Sequence, residues 1–457
     1  MMTAWHRFRA DVQAALIAGL ADEYDRRTWS ADRIARAQRA GLRVLLQHAM
    51  ERSPFHRERL AGIDVVDVDP ADMSELPVMT KSQMMDGLDN VLADRRLDRG
   101  VVEAALANTG AEPVVILDDY IALASGGCSG QRGIFVLDRA AVAAFVACSA
   151  RQPGPVDVVP GAAGGQTVMA LVAAPSAVHA TGMLAALMSS GTTPIRSALV
   201  PATQPLGEIV ERLNAMQPAV LTGYASMLVR LAAEADAGRL NIAPTAVSST
   251  SETLLPEMRS VIRDAFGVPV LDGFGSTEGL VGKTCPDDPV FVFNTDRCIV
   301  EMVDAENRPV APGTPSAKVL ITNLYNLTQP LIRYELTDTF VRQSDAAEHG
   351  YLRADVQGRA DDVLRYESVD LHPIVIRSVM VKTPEVIDYQ VRQTPCGIDV
   401  VAVTADGAHL DGLSDRLRRA LVDGGLKRAD VRVRPVDRLD RHPVTGKLRR
   451  FVPLTDA

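Results

Sequence analysis

The chain has 457 residues, of which 47% are hydrophobic and 23% are charged. This composition is typical of an ordered globular protein, and the length suits two domains. The formal net charge of -9 argues against a general nucleic-acid-binding protein, because phosphate backbones attract basic surfaces. Five cysteines without CxxC spacing predict reduced thiols and a cytoplasmic location rather than a disulfide framework.

The N-terminal part of the chain predicts helices. In the first 50 residues, apolar positions recur between arginines at helical spacing. The stretch LPVMTKSQ (76–83) then predicts a turn and a helix start, with Thr80 or Ser82 as the N-cap. Residues 158–195 contain no Asp, Glu, Lys or Arg, but Gly, Pro and polar residues interrupt this run. We therefore predict a buried strand, a turn and a helix there rather than a membrane span.

Strand and helix patterns alternate from about residue 113 to residue 330. Runs such as TVMALVA (167–173) and PVLDGFG (269–275) predict strands, and LGEIVERLNAM (206–216) predicts a helix. Residues 300–324 predict a hairpin, because apolar runs flank a polar turn. The alternation predicts an α/β fold in which helices cover the sheets.

The last hundred residues predict a separate α+β block. Residues 386–407 alternate like paired strands, and residues 410–425 like an amphipathic helix. We place the boundary near Gly358. The prediction is therefore a large N-terminal domain, residues 1–357, and a small C-terminal domain, residues 358–457.

The stretch ASGGCSGQRGIF (124–135) has the composition of a phosphate-binding loop. Glycines accept positive φ and let main-chain N–H groups turn toward an anion, and small side chains leave room for it. The candidate residues are Ser125, Gly126, Gly127, Cys128, Ser129, Gly130 and Arg132. A glycine-rich surface turn is an equally good interpretation, because neither GK[ST] nor GxGxxG is present.

The stretch VLDGFGSTEGL (270–280) predicts a strand that ends in a ligand-binding turn. Its glycines permit close approach of a flat ligand, on which Phe274 could stack, and Glu278 is an oxygen donor of the kind Mg²⁺ prefers. The other candidate residues of this turn are Gly273, Gly275, Ser276 and Thr277. An ordinary strand-to-helix turn with a capping box is the alternative.

Four further charged residues could bind a nucleotide or its substrate. Asp338 ends an apolar strand pattern, where a carboxylate could accept two ribose hydroxyls. Arg359 and Asp361 follow Gly358 at the predicted boundary, although charged residues on a linker are usually solvated. Lys447 follows a Thr-Gly turn near the C-terminus and is one of only six lysines among 48 lysines and arginines.

The order of these motifs resembles the adenylate-forming superfamily of acyl-CoA synthetases, and most of all its phenylacetate–CoA ligase branch. The motifs follow one another in the family's order: the glycine-rich loop, G-F-G-S-T-E, the strand-end aspartate, G-R-A-D-D and the near-terminal G-K. The resemblance spans roughly residues 45–455. ERSPFHRERL (51–60) and LTGYASMLVRLA (221–232) also resemble that branch. The resemblance implies a large N-terminal domain of helix-covered sheets and a small mobile C-terminal α+β domain.

The resemblance implies a two-step reaction with ATP and Mg²⁺. A carboxylate attacks the α-phosphate to give an acyl adenylate and pyrophosphate, and a nucleophile then displaces AMP. By motif, the loop from Gly126 to Gly130 would hold the β- and γ-phosphates, Thr277 the α-phosphate and Glu278 the Mg²⁺. Phe274 would flank the adenine.

The remaining roles are also carried over by motif. Asp338 and Arg359 would bind the ribose, Asp361 would be the hinge, and Lys447 would neutralise charge in the first step. The acid pocket would include the following residues: His179, Tyr224, Ser251 and Gly273. A helix-capping or core histidine is the alternative for His179.

Several positions depart from the family pattern. The loop lysine is replaced by Gln131-Arg132, and the tyrosine of G-Y-G by Phe274. In RYESVDLHP (365–373), Glu367 and Ser368 stand where a glycine of the pantetheine tunnel is expected, and Arg377 replaces a glutamate. A carboxylate suits a neutral thiol arm poorly, so coenzyme A is doubtful as acceptor. An amine, a carrier-protein thiol or nitrite is the alternative.

The sequence therefore predicts an ATP-dependent ligase for a small, aromatic or similarly compact acid. A non-catalytic nucleotide-binding relative is the rival, which retention of Lys447, Glu278 and Asp338 disfavours. Some relatives bind a structural zinc near the segment that follows the T-E motif. Cys285 is present in that segment here, but no histidine follows it, so we predict no zinc. We expect a homodimer by resemblance only, with no nucleic-acid or membrane partner.

Overall fold

The computed structural model describes residues 3–125, 133–151, 166–190, 195–286, 288–343, 350–359, 362–367, 369–371, 373–380, 383, 385–404, 410–441 and 448–454. The helices among them are α1 (Ala4–Arg26), α2 (Ala31–Arg52), α3 (Pro54–Arg59), α4 (Lys81–Asp86), α5 (Leu88–Val91), α6 (Arg99–Asn108), α7 (Arg139–Arg151), α8 (Ala180–Leu187), α9 (Leu206–Met216), α10 (Ala225–Asp236), α11 (Pro256–Phe266), α12 (Ile374–Met380) and α13 (Leu413–Asp423). The strands are β1 (Tyr120–Ala124), β2 (Ile134–Asp138), β3 (Thr167–Ala173), β4 (Ile195–Pro201), β5 (Val220–Gly223), β6 (Ala246–Thr250), β7 (Val270–Gly275), β8 (Val281–Cys285), β9 (Asp288–Phe293), β10 (Cys298–Val303), β11 (Lys318–Asn323), β12 (Tyr334–Leu336), β13 (Asp338–Arg342), β14 (Arg353–Arg359), β15 (Leu364–Tyr366), β16 (Val369–Leu371), β17 (Val386–Thr394), β18 (Gly397–Thr404), β19 (Asp430–Pro435) and β20 (Phe451–Val452).

A nine-stranded sheet organises the described part of the chain, in the order β13-β14-β9-β8-β7-β6-β5-β3-β4. Five neighbouring strands are parallel: β4, β3, β5, β6 and β7. The other four strands, β8, β9, β14 and β13, each run antiparallel to their neighbours. Parallel strands joined by helices point their carboxyl ends to one edge, where α/β proteins bind ligands. The predicted α/β fold is confirmed, and this edge carries several of the candidate site residues.

The predicted helices on this sheet form because their apolar residues fall on one side. In α9, Ile209, Val210 and Leu213 are buried, and in α11, Met258 and Ile262 are buried. They pack with the parallel strands into one apolar cluster. The helices therefore cover the sheet as the 3.6-residue period predicts.

Two N-terminal stretches, ERSPFHRERL (51–60) and LPVMTKSQ (76–83), contact the segment that precedes Asp338. Thr80 forms a capping box with Gln83 at the start of α4, as predicted. The Nε2 atom of buried His56 lies 3.0 Å from the carbonyl oxygen of Pro330. Arg59 donates to the carbonyl oxygen of Ile332 at 3.1 Å. These motifs hold the segment that leads to Asp338.

The uncharged run at 158–195 contains β3 and α8 in its described parts. Both pack into the apolar clusters of the protein. Among the described residues, no helix combines the length and the apolarity that crossing a membrane requires. The predicted strand and helix are therefore confirmed.

The C-terminal residues form a four-stranded sheet, in the order β19-β18-β17-β20. The predicted pairing is confirmed, because β17 and β18 run antiparallel, and the predicted amphipathic helix is α13. Val391, Ile398, Leu417 and Phe451 share an apolar cluster with the helices on the parallel sheet. The boundary at Gly358 stays a prediction.

Candidate active site

The carboxyl edge of the parallel strands brings several candidate residues together. β5 runs into Tyr224, β6 into Ser251, and β7 through Gly273 into the G-F-G-S-T-E turn. β6 lies between β5 and β7. The sequence predictions for the acid pocket and for the turn therefore converge on one edge of one sheet.

The hairpin of β1 and β2 presents the glycine-rich loop. Its last pair joins Ala124 to Ile134, and the main-chain N–H of Gly133 donates to the Ser125 hydroxyl at 3.1 Å. Ser125 thus closes the base of the loop. Its other candidate residues lie outside the described part of the chain, so their phosphate-binding role stays a prediction: Gly126, Gly127, Cys128, Ser129, Gly130 and Arg132.

Two buried amides that sequence reasoning missed hold this hairpin in place. Gln329 accepts from the N–H of Val136 at 2.7 Å and donates to the carbonyl of Ile134 at 2.9 Å. Asn326 donates to the carbonyl of Val136 at 3.0 Å. Because a buried strand edge needs such partners, the amides fix the strand on which the loop is mounted. The polar residues in NLTQPLIRY (326–334), within an otherwise apolar stretch, were the available signal.

His179 lies at the base of the same hairpin. Its Nδ1 atom is 3.3 Å from the carbonyl oxygen of Ala124, and it occupies the N-cap position of α8 without a side-chain capping bond. The histidine therefore joins the start of α8 to the loop hairpin. The contact gives the histidine a structural role, and its pocket role stays a prediction.

Tyr224 is fully buried, and its hydroxyl accepts a hydrogen bond from the N–H of Ala174 at 2.8 Å. Burial raises the pKa of Tyr224 well above its usual range. Its hydroxyl is thus used to join β5 to the end of β3. The pocket role of this residue, and that of the exposed Ser251, stay predictions.

The G-F-G-S-T-E segment is a hairpin turn and does not begin a helix. Phe274 pairs with Gly282 across β7 and β8, and the Ser276 hydroxyl accepts from the N–H of Leu280 at 3.2 Å. The predicted alternative, a strand-to-helix turn with a capping box, is wrong. The chain turns back because Gly279 adopts a φ of 111°. Residues that carry a side chain rarely adopt this conformation, whereas glycine adopts it readily.

The hairpin turn holds Thr277 and Glu278 between the two strands. Asn323 donates to the main-chain carbonyl of Glu278 at 2.9 Å, and the Tyr325 hydroxyl donates to that of Gly279 at 2.9 Å. A Cβ atom at Gly279 would lie 2.1 Å from the Asn323 amide. The backbone around Glu278 is therefore fixed from the neighbouring sheet.

The surroundings of Glu278 fit a hydrated Mg²⁺. Glu278 is 8% exposed, and its carboxylate adds to burial in raising the pKa of Tyr334. The Tyr334 hydroxyl is itself buried and has no hydrogen-bond partner among the described residues. Carboxylate oxygens and bound waters are the usual Mg²⁺ environment, and a bound water would satisfy this hydroxyl.

Asp338 and Arg359, both predicted to bind the ribose, stand opposite each other where β13 pairs with β14. Asp338 is buried. Two residues further along β13, the ring of Phe340 lies 5.4 Å from that of Phe274. The strand that begins with Asp338 is therefore packed against the G-F-G turn.

Sequence reasoning missed two ionisable residues beside this turn. Burial raises the pKa of Asp272 to about 6, with Arg259 opposing the shift. Lys283 stands opposite Gly273 in the β7–β8 pair, and burial lowers its pKa. No hydrogen bond or ion pair of Lys283 is found among the described residues. Perturbed groups of this kind often mark functional sites.

The last candidate residues fall in the C-terminal part of the chain. Glu367 is exposed between β15 and β16, where Tyr366 pairs with Val369. Asp361 and Lys447 lie outside the described residues, as does the side chain of Arg359. The hinge, ribose and lysine roles therefore stay predictions.

No protein-family model matches the chain. It is 26% identical to Protein CapK of Staphylococcus aureus over 163 residues, 34% of each chain. It is 26% identical to phenylacetate-coenzyme A ligase of Aromatoleum evansii over 134 residues, 28% of this chain and 30% of that protein. It is 25% identical to benzoate–CoA ligase of Thauera aromatica over 227 residues, which are 46% of this chain and 40% of that protein. The matches thus span about a third of the length of these curated relatives.

Solved structures share the fold over most of the chain. A 2-hydroxyisobutyryl-CoA ligase in the postadenylation state gives a TM-score of 0.67 at 17% identity, covering 94% of this chain and 91% of that one. The same enzyme in the thioesterification state gives 0.56 at 18% identity, with the same coverage. Both likenesses show that this chain shares the fold of that enzyme.

A third structure, the amide bond synthetase McbA from Marinactinospora thermotolerans, gives a TM-score of 0.52 at 16% identity and covers 69% of this chain and 65% of that one. These likenesses confirm the fold and the resemblance that the motif order predicts. The chain has the two-domain fold of the adenylate-forming ligases, and its sequence is similar to acyl-CoA ligases of that superfamily.

Proposed function

We propose that the protein activates a small carboxylic acid as an acyl adenylate at the expense of ATP. A carboxylate oxygen attacks the α-phosphorus, the bond from that phosphorus to the bridging oxygen breaks, and pyrophosphate leaves. A nucleophile then attacks the acyl carbon, and AMP leaves with the bonding electrons. This chemistry depends on positioning and on charge neutralisation.

The observation that carries the proposal is that Tyr224, Ser251 and the G-F-G-S-T-E turn follow neighbouring strands at one edge of the sheet. His179 lies at the base of the loop hairpin. In the proposed roles, Thr277 contacts the α-phosphate and Glu278 holds Mg²⁺, which would neutralise phosphate charge. Asp338 binds the ribose. Lys447 offers its ammonium to the carboxylate and the α-phosphate.

The proposed substrate is a small aromatic acid. Support comes from the relatives named phenylacetate–CoA and benzoate–CoA ligases and from the motif resemblance. The test is acid-dependent exchange of labelled pyrophosphate into ATP, measured across a panel of aromatic and short aliphatic acids. If none of the acids in the panel supports exchange, although the protein is folded and binds ATP, the proposal is contradicted.

Lys447→Ala sharpens this test. We expect it to lower the exchange rate by about 100-fold or more, because an aligned charge near the reacting phosphate is lost, and to leave ATP binding mostly intact. Lys427→Ala is the matched control, since Lys427 is an exposed lysine of the same C-terminal part. Equal exchange in the Lys447 variant and the parent would remove Lys447 from the mechanism.

We further propose that the acyl acceptor is not coenzyme A. In the sequence, Glu367 stands where the resemblance implies a glycine of the pantetheine tunnel, and its carboxylate is exposed. One structural neighbour is named an amide bond synthetase. The measurement is product formation with coenzyme A, amines, nitrite or a carrier protein added separately. Efficient release of acyl-CoA would contradict the proposal. A homodimer and a cytoplasmic location stay predictions.

A further inference from the structure

Glu252 lies where the parallel sheet meets the C-terminal part of the chain. β6 ends at Thr250, and Ser251 adopts a φ of 63°, a left-handed conformation that residues other than glycine rarely take. The chain turns sharply there, and the following carboxylate reaches the N-terminus of α10. The side chain of Glu252 is only 8% exposed.

The carboxylate joins two parts of the chain that are far apart in sequence. Its Oε2 atom accepts hydrogen bonds from the main-chain N–H of Ser226 at 3.0 Å and from the Ser226 hydroxyl at 2.5 Å. Its Oε1 atom accepts from the main-chain N–H of Leu448 at 2.7 Å. The first pair caps α10, where a negative charge is favourable. The other bond holds the C-terminal part.

Arg441 strengthens the same corner. Its guanidinium donates to the Ser226 hydroxyl at 2.9 Å and lies 3.9 Å from Glu252 Oε1. Ser226 is buried, and the side chain of Arg441 is 15% exposed. Charge-assisted hydrogen bonds with little water access are stronger than exposed ones.

The two C-terminal residues of this corner flank the segment that carries Lys447. Leu448 follows Lys447 directly, and Arg441 precedes residues 442–447. The corner therefore holds Arg441 and Leu448, the described residues on either side of residues 442–447, against Ser226 and Glu252.

A second contact crosses the same boundary. Arg450 lies 3.8 Å from the Met258 sulfur on α11 and donates to Asp388 on β17 at 2.7 Å. This contact is apolar on the α11 side. The Glu252 corner differs because polar groups on both sides exchange hydrogen bonds, which water can replace when the parts separate.

We propose that Glu252 is a positioning residue that latches the C-terminal part against α10 during acid activation and releases it for acyl transfer. The proposal rests on the proposed function, since only a two-step reaction requires the release. Glu252 has no role in the reacting bonds. Its effect is to favour one arrangement of the two parts over the other.

The test compares Glu252→Gln with the parent protein. A carboxamide offers one oxygen instead of two and places an NH₂ group against one of its former donors. We expect faster amide hydrogen exchange in the peptide that contains Leu448, with unchanged exchange in β6. We also expect a loss of about 10- to 100-fold in the rate of pyrophosphate exchange, with the KM for ATP unchanged.

Two further variants and a second reaction make the result specific. Glu211→Gln makes the same change of charge on an exposed position of α9 and should behave as the parent. Glu252→Asp keeps the charge and should fall between parent and Gln variant. Acyl transfer from a preformed acyl adenylate should keep the parent rate in Glu252→Gln.

Two results would overturn the latch. One is unchanged hydrogen exchange at Leu448 in Glu252→Gln. The other is an equal loss in both half-reactions, which is the result expected of a merely structural residue. If none of the acids supports pyrophosphate exchange by the parent protein, the proposed function fails. The hydrogen-exchange measurement at Leu448 still decides the latch in that case.

Discussion

The ring of Phe274 lies edge-on to the ring of Phe340, with centroids 5.4 Å apart and planes at 87°. Phe274 makes two further edge contacts, with Phe291 and Phe293. The G-F-G turn is thereby fastened to the strand that begins with Asp338. These ring contacts pack together two motifs that are far apart in the sequence.

Phe274→Ala should therefore have two effects. Loss of the edge contacts should lower the free energy of unfolding by about 2 kcal/mol, since a half-buried ring loses less than a fully buried one. Loss of a flank of the proposed adenine site should raise the dissociation constant for ATP. Urea unfolding and calorimetric ATP titration measure the two effects. Phe274→Tyr should restore both, and unchanged ATP affinity in the Ala variant would argue against the adenine role.

Asp272→Asn should change the pH dependence of stability. Burial raises the folded-state pKa of Asp272 to about 6, above the unfolded value of about 3.9. The folded state therefore binds this proton more tightly, and the parent loses stability as the pH rises from 4 to 6, by about 3 kcal/mol in all. The Asn variant should gain on the parent over that range in urea unfolding.

Asp264→Asn, at an exposed position of α11, is the control for that comparison. It should track the parent at every pH. Parallel curves for Asp272→Asn and the parent would show that Asp272 titrates normally in the folded protein.

His56 should make the protein sensitive to mild acid. Burial and the nearby Arg59 charge lower its pKa to about 3, below the unfolded value of about 6.5. The unfolded state binds the proton first, so stability is lost as the pH falls below 6.5, by about 2 kcal/mol at pH 5. His56→Gln should lack this loss when unfolding is followed at pH 7 and pH 5. His48→Gln is the control, and an acid loss unchanged in His56→Gln would refute the assignment.

Lys283→Met should stabilise the protein at neutral pH. A half-buried ammonium without a partner among the described residues costs free energy of desolvation, so its removal should raise the free energy of unfolding by about 1 kcal/mol. The gain should shrink as the pH approaches 10.5, where the unfolded lysine also loses its proton. Thermal unfolding at pH 7 and pH 10 measures this change.

Lys318→Met is the matched comparison, because Lys318 donates to Glu335 at 2.8 Å. Lys318→Met should lower the free energy of unfolding at pH 7, whereas Lys283→Met should raise it. Loss of stability in both variants would mean that Lys283 has a partner in solution.

Local sequence signals determined many of the elements. The periods of LGEIVERLNAM and TVMALVA match α9 and β3 residue for residue, and Thr80 caps α4 as predicted. These signals succeed because helix and strand periods and capping groups act over a few residues. The local sequence did not decide the conformation of the G-F-G-S-T-E turn, because a serine after a strand suits a hairpin turn as well as a helix cap.

The sequence by itself determined the fold class, the order of the motifs and the resemblance to the adenylate-forming ligases. Only the tertiary structure decided that Gln329 clamps the loop hairpin, that Tyr224 uses its hydroxyl on Ala174, and that Glu252 holds Leu448 across 196 residues. The physical reason is that hydrogen bonds and desolvation depend on which groups meet in space, whereas residue patterns report only neighbours along the chain.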